Sequence, residues 1–152
     1  MNVGEARSIA ERWVAEEVAR SAGEVLGVLT WGSINWMADE DPFPPSSDVD
    51  LLVVVRELDP VRHRLSKRTY DGIALEPYYL PRERFLSNET LLANPGLAHN
   101  LVDGRALFDP DGILEGLRAA LAPELTRRHW VRQRCRTRRD EALPLIAAFE
   151  AL

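Results

Sequence analysis

Two aspartates separated by one residue stand directly before the most apolar segment of this 152-residue chain. They are Asp48 and Asp50, and residues 51–55 that follow are all Leu or Val. If that segment is a strand, its side chains alternate between two faces, so both carboxylates point to the same side. Ionised carboxylates beside a buried strand are unfavourable unless a cation lies between them. Because neither Cys nor His stands beside the pair, it predicts a hard divalent cation, most naturally Mg²⁺.

A Gly-Ser pair, Gly32-Ser33, follows an apolar segment upstream of the aspartates. Glycine lets the backbone approach a phosphate closely, and the serine hydroxyl and the amides of a following helix can donate to phosphate oxygens. An isolated Asp-x-Asp is a short pattern that more often leads into a strand with both side chains solvated. In combination, the two motifs predict a triphosphate site beside a metal site.

The two motifs together resemble the nucleotidyltransferase superfamily that includes DNA polymerase beta. The pattern of that superfamily is a strand, Gly-Ser, a short helix and a strand that carries Asp-x-Asp. Here it corresponds to residues 28–33 followed by residues 47–54. Within the superfamily, the chain is similar to small bacterial members, which include aminoglycoside nucleotidyltransferases and minimal nucleotidyltransferases paired with toxins. The resemblance covers about residues 25–79 and extends more weakly through residues 104–110.

The resemblance implies a third carboxylate on a neighbouring strand. Glu76 takes that place, since it is the only acid within residues 73–79. Asp48, Asp50 and Glu76 are then the metal ligands and the catalytic residues, with action of Glu76 as general base on the acceptor hydroxyl as an alternative. The competing interpretation of Glu76 is an edge-strand side chain that faces water, which the adjacent Pro77 favours.

The resemblance also implies the reaction, in which an acceptor hydroxyl attacks the α-phosphorus of a nucleoside triphosphate and pyrophosphate leaves. Gly32, Ser33 and Ser47 are expected to bind the nucleotide, which is expected to be ATP with one or two Mg²⁺ ions. The expected acceptor is a small molecule, for instance an antibiotic such as an aminoglycoside. The alternatives are a minimal nucleotidyltransferase that modifies a protein or RNA in toxin–antitoxin fashion, and a catalytically silent binding module of the same fold.

The elements that must position these residues follow from hydrophobic periodicity and from Gly and Pro positions. We expect helices and strands in the order α-β-α-β-β-α-α-β-α-α. Their expected bounds are a helix over 5–22, a strand over 25–31, a short helix to 38, a proline-rich loop over 39–47, a central strand over 49–55, a strand over 73–79, a helix over 81–92, a helix from 94 to Gly104, an edge strand over 105–108, a helix over 113–121 and helix from 123 onwards.

This order predicts an α/β (α+β) fold, in which helices flank a nucleotidyltransferase-like mixed β-sheet. We expect residues 1–122 to form a nucleotidyltransferase catalytic domain and residues 123–152 a helical C-terminal segment. The short catalytic core suggests that a second copy or a helical partner protein completes the acceptor pocket. The four tryptophans are expected in the core or along a cleft; they are Trp13, Trp31, Trp36 and Trp130.

The distribution of charge along the chain bears on whether nucleic acid is a binding partner. Residues 1–126 carry 21 acids and 12 bases, whereas residues 127–152 carry 3 acids and 7 bases, all arginine. The acidic residues 1–126 disfavour nucleic acid as a substrate, whereas residues 127–152, which we call the basic arm, leave nucleic-acid binding as an alternative. The favoured interpretation of the basic arm is a solvated helix face. Eighteen of the 19 bases are Arg and only Lys67 is Lys, a bias that we attribute to genome composition. A single cysteine, no long apolar run and no secretory signal predict a cytoplasmic protein.

Overall fold

The computed structural model describes residues 1–61 and 67–150. Five strands within these residues form one mixed sheet. In chain order the helices and strands are α1 (Val3–Arg20), β1 (Val25–Trp31), β2 (Asp48–Val55), β3 (Arg68–Tyr70), β4 (Ile73–Pro81), α2 (Asn88–Ala93), α3 (Leu97–Asp103), β5 (Ala106–Phe108), α4 (Ile113–Leu125) and α5 (Arg128–Glu150). A 3₁₀ helix follows β1 over Gly32–Trp36, and another follows β4 over Arg82–Phe85.

The sheet has the strand order β3-β4-β2-β1-β5, which places β2 in its middle. β2 runs parallel to β4, and the other neighbouring strands pair antiparallel. From Leu51 to Val55, each side chain of β2 is at most 1% exposed. A continuously apolar strand of this kind requires packing against both of its faces. The predictions of a central strand over 49–55 and of an edge strand over 105–108 are therefore confirmed.

Helices cover the two faces of the sheet and create two separate cores. On one face, Trp13 of α1 packs in a cluster that includes Leu51 and Val53 of β2. On the opposite face, Leu52 and Val54 of β2 lie in a cluster that also includes residues of α2, α3 and α4. This is the mixed α/β layer arrangement that the order of elements predicted.

α1 begins with a reciprocal cap at its N-terminus. The Asn2 side chain accepts a hydrogen bond from the Glu5 amide, and the Glu5 carboxylate accepts one from the Asn2 amide. This arrangement satisfies amides that a helix N-terminus otherwise leaves without partners. Gly23, at φ +86°, then turns the chain towards β1. The helix predicted over 5–22 is confirmed, with both ends shifted by two residues.

The helix predicted to begin at Pro81 is wrong at its start. β4 continues to Pro81, because Leu80 and Pro81 extend the parallel pairing with the last residues of β2. The 3₁₀ helix follows, and α2 begins only at Asn88, where the Ser87 hydroxyl caps the Thr90 amide. Proline can open a helix, but it can equally end a strand where no further ladder bond is needed.

Three further details differ from the sequence-based expectation. β3 was not predicted; it forms a hairpin with β4 through Asp71 and Gly72, both of which have positive φ as a type I′ turn requires. Helix α4 continues through Pro123 to Leu125, so the next helix begins at Arg128 rather than at residue 123. Trp36 was expected in the core or along a cleft, but its side chain is 69% exposed.

Among the described residues, no helix is both long enough and apolar enough to cross a bilayer.

Candidate metal and nucleotide site

The register between β2 and β4 brings three carboxylates together. Asp48 lies opposite Ala74, and Asp50 lies opposite Glu76, on two neighbouring parallel strands. Because side chains alternate along a strand, Asp48, Asp50 and Glu76 project from the same face of the sheet. One carboxylate oxygen from each residue lies within 4.8 Å of the others. We call these three residues the acidic triad.

Glu76 is part of a protected strand, and not of an exposed edge. β4 pairs with β2 along eight consecutive residues and also pairs with β3 over its first three. The Glu76 side chain is 18% exposed, and the Tyr78 hydroxyl donates a hydrogen bond to its Oε1 at 3.3 Å. The structure therefore contradicts the interpretation of Glu76 as a water-facing residue of an edge strand.

A lysine side chain lies against the acidic triad. The Lys67 Nζ is 2.5 Å from Asp48 Oδ2 and 3.5 Å from Glu76 Oε2. Its hydrogen bond lowers the pKa of Asp48 and, reciprocally, raises the pKa of Lys67. Sequence reasoning missed this contact, since residue 67 lies in a polar stretch with no periodicity to place it.

Asp50 is the carboxylate with the most unfavourable electrostatic surroundings. Burial, reinforced by the negative charges of Asp48 and Glu76, raises its pKa to about 6. Three carboxylates so close together repel one another when ionised, and a divalent cation would relieve that repulsion. Oxygens on opposite sides of a hard divalent cation are separated by about 4 to 5 Å. The acidic triad therefore fits a divalent metal ion. Its carboxylates have suitable spacing and offer only oxygen donors, and the Lys67 ammonium already lies against two of them.

Gly32 is needed next to Asp50 for a reason that the sequence did not reveal. Its φ is +77°, and a Cβ at this position would lie 2.6 Å from Asp50 Oδ2. Its amide donates to the Asn100 side chain at 3.1 Å. The absence of a side chain therefore makes room for Asp50, in addition to any contact with phosphate.

The two serines flank the acidic triad along the chain. Ser33 is exposed on the 3₁₀ helix directly after Gly32. Ser47 precedes Asp48, and its amide donates to the Pro44 carbonyl at 2.9 Å, which closes the proline-rich loop before β2. The nucleotide-binding roles of Gly32, Ser33 and Ser47 stay predictions.

A cleft of about 920 Å³ is lined by residues that adjoin the acidic triad, although none of the three acids is among its lining residues. Its floor includes the stacked rings of Trp31 and Tyr78, whose centroids are 5.7 Å apart. Trp31 pairs with Asp50 across β1 and β2, and Tyr78 is the hydrogen-bond donor to Glu76. Trp130 of α5 also lines this cleft, which we call the aromatic cleft. The tryptophans were predicted to line a core or cleft, but no local pattern indicated that α5 would contribute to it.

The basic arm is partly committed to contacts within the protein. Arg134 donates to the Leu92 carbonyl at 2.8 Å and to the Leu125 carbonyl at 2.5 Å, which ties α5 to the ends of α2 and α4. Three further arginines form ion pairs with acids close in sequence; they are Arg127, Arg138 and Arg139. These contacts favour the interpretation of the arm as a solvated helix face.

Comparison with known proteins supports the fold. The sequence matches no protein-family model, and no curated protein matches it. Among solved structures, the chain is similar to a nucleotidyltransferase-like protein from Exiguobacterium sibiricum, with a TM-score of 0.53 and 19% sequence identity. The chain has a nucleotidyltransferase-like fold. The similarity covers 74% of this chain and 38% of that protein, so this chain spans well under half of its length.

Proposed function

We propose that the protein is a metal-dependent nucleotidyltransferase that transfers a nucleoside monophosphate from a nucleoside triphosphate, ATP in this proposal, to a hydroxyl of a small-molecule acceptor. The other product is pyrophosphate. The observation that carries the proposal is the convergence of Asp48, Asp50 and Glu76 on one face of two central strands. The nucleotidyltransferase-like fold of the structural relative supports it.

The acidic triad supplies oxygen ligands for one or two Mg²⁺ ions, held by Asp48, Asp50 and Glu76. When bound, such ions neutralise charge that develops on the phosphates and lower the pKa of the attacking hydroxyl. Tyr78 orients Glu76 through its hydrogen bond, whether Glu76 binds metal or accepts the proton of the acceptor hydroxyl. The absence of a side chain at Gly32 leaves the space that the Asp50 carboxylate occupies. Ser33, the next residue after Gly32, is the proposed donor to an outer phosphate oxygen.

The aromatic cleft is the proposed place for the acceptor. Its volume is in the range of pockets that bind drug-sized molecules. Trp31, Tyr78 and Trp130 offer flat apolar surfaces, while the charged residues at the cleft include Arg84 and Glu89, of opposite sign. This lining suits an acceptor with a ring or another apolar part better than a polycationic aminoglycoside.

Acids in the proline-rich loop could attract a cationic acceptor such as an aminoglycoside, but Asp39 and Asp41 are engaged in contacts within the protein. Asp39 forms an ion pair with Arg7, and its carbonyl accepts from the Gly4 amide. The Asp41 carbonyl accepts from the Val3 amide, and its carboxylate accepts from the Ala38 amide at 2.7 Å. These contacts hold the loop against the start of α1.

The C-terminal segment completes the proposal. We propose residues 1–122 as the catalytic domain and the segment from residue 123 onwards as a C-terminal segment, although α4 continues across this boundary to Leu125. α5 of that segment contributes Trp130 to the aromatic cleft. The end of α5 exposes apolar side chains, which supports a helical partner or a second copy at that end; they are Leu143, Leu145, Ile146 and Phe149.

The direct test is transfer from triphosphate labelled on the α-phosphate, with Mg²⁺ or with EDTA, in an extract that supplies acceptors. We expect Mg²⁺-dependent label in small molecules, and loss of that label in Asp48→Asn. Glu40→Gln, which removes an exposed acid from the neighbouring loop, is the matched control and keeps activity.

The same assay separates the alternative functions. Label in protein or RNA would identify a different acceptor class and overturn the small-molecule proposal. Absence of transfer, together with absence of Mg²⁺-dependent thermal stabilisation by any nucleoside triphosphate, would indicate a catalytically silent module.

A further inference from the structure

Lys67 is the single exception to the arginine bias of this chain. The other 18 bases are Arg, so the sequence uses Lys at one position only. At that position the base lies against the acidic triad. A bias of genome composition accounts for the arginines, but it does not account for where the one lysine stands.

The chemistry of the ammonium group fits this place. It is a compact point charge with three donors, whereas guanidinium is planar and forms its strongest contacts edge-on with one carboxylate. Lys67 Nζ contacts oxygens of two different carboxylates, at 2.5 Å on Asp48 and 3.5 Å on Glu76. Contact with oxygens from several residues is also what a metal ion would make there.

We propose that Lys67 is an internal counter-cation, which neutralises part of the acidic triad in the metal-free protein and competes with the divalent ion for Asp48 and Glu76. This inference rests on the proposed function, because it assigns a metal ion to the same carboxylates. Binding of the ion displaces the ammonium from Asp48. The Lys67 side chain is 62% exposed, so it can leave without unpacking a core.

Two properties follow from this competition, and they have opposite signs. Without metal, Lys67 reduces the repulsion among the three carboxylates and therefore stabilises the fold. During metal binding, the same contact must be broken, so it lowers the apparent affinity for the ion. A lysine that served only as a solvated surface residue would affect neither property.

The experiment measures both properties in the full-length chain. Isothermal titration with Mg²⁺ alone gives the affinity, and thermal unfolding in EDTA gives the metal-free stability. For Lys67→Ala we expect Mg²⁺ to bind about two- to fivefold tighter, and the metal-free Tm to fall by about 1–3 °C, as for an exposed ion pair. Lys67→Arg keeps the charge and lies between Lys67→Ala and wild type in both measurements.

The matched control is Arg105→Ala. Arg105 is a similarly exposed base that pairs with Glu11 at 3.1 Å, and its removal should leave Mg²⁺ affinity unchanged. If wild type binds Mg²⁺ and Lys67→Ala binds it with the same affinity, the inference is overturned while the proposed function stands. If no variant binds Mg²⁺ alone, the inference is overturned, and the transfer assay with labelled triphosphate decides the proposed function separately. Binding to Lys67→Ala alone would support the inference in its strongest form.

Discussion

The two faces of β2 and β4 carry different kinds of side chain, although alternating residues of the same two strands form them. Towards α1, Leu51 and Leu75 are fully buried in an apolar core. Towards the other face, the neighbouring Asp50 and Glu76 carry charge at the same level of the sheet. At this level of the sheet, the face towards α1 stabilises the fold by apolar packing. The opposite face carries a cluster of like charges, which destabilises it.

This difference explains how a small domain can hold three adjacent carboxylates. Ionised groups at this spacing destabilise a fold, and burial makes the effect larger, as the raised pKa of Asp50 shows. The strands that carry them are held by continuous apolar packing further along β2 and by α1 on the opposite face. The two faces should therefore respond oppositely to substitution, and the following predictions test that contrast.

The largest effect on stability is expected from Leu51→Ala, next to Asp50 on the α1 face. Its side chain is fully buried, and removal of such a group costs about 2–5 kcal/mol of unfolding free energy. Asp50→Asn, on the opposite face, should leave the metal-free protein as stable as wild type or more so, while it abolishes Mg²⁺ binding. Urea unfolding in EDTA and Mg²⁺ titration measure the two quantities. If Asp50→Asn lost as much stability as Leu51→Ala, the contrast between the faces would be wrong.

An intermediate effect is expected from Gly32→Ala, compared with Gly23→Ala. Both glycines have positive φ, at +77° and +86°, so each alanine should destabilise by about 1–2 kcal/mol. Only at Gly32 would the new Cβ meet Asp50 Oδ2, since nothing lies within 4 Å at Gly23. We expect weaker Mg²⁺ binding in Gly32→Ala and unchanged binding in Gly23→Ala. Equal Mg²⁺ affinities in the two variants would show that Asp50 does not need the space.

The smallest effect concerns the pH dependence of the metal-free protein. The folded pKa of Asp50, about 6, lies above the ordinary aspartate pKa of 3.8, so the folded state holds this proton more tightly than the unfolded state. The Asp50 contribution to the unfolding free energy therefore falls as pH rises through this window and stays low above it. Asp50→Asn should flatten that slope in unfolding curves collected in EDTA from about pH 4 to about pH 7. If the unfolding free energy had the same pH dependence in wild type and in Asp50→Asn, a raised pKa of Asp50 would be contradicted.

Much of the central fold could be predicted, because its determinants are local. The continuous Val and Leu run of β2 indicates a strand packed on both faces, and the periodic apolar residues of α1 indicate an amphipathic helix. β3 was missed because its three residues, Arg68 to Tyr70, form no alternating pattern of their own. Pro81 was misassigned because proline is compatible both with the first turn of a helix and with the end of a strand.

The candidate site could be predicted only as far as strand alternation carries. Alternation placed Asp48 and Asp50 on one face, and the resemblance added Glu76, which the β2–β4 register brings beside Asp50. The positions of Lys67 and Trp130 depend on contacts between segments that are distant in sequence. Tertiary packing determines such contacts, so no local sequence pattern predicts them.

The register of β2 and β4 also bears on how a ligand would meet this site. Asp50 and Glu76 are held by a parallel ladder in the middle of the sheet, and not by a loop that must first become ordered. The conformational entropy of placing these ligand groups is therefore spent when the chain folds, before any ion arrives. Binding to such a preorganised site should involve side-chain adjustment alone, with little change in heat capacity.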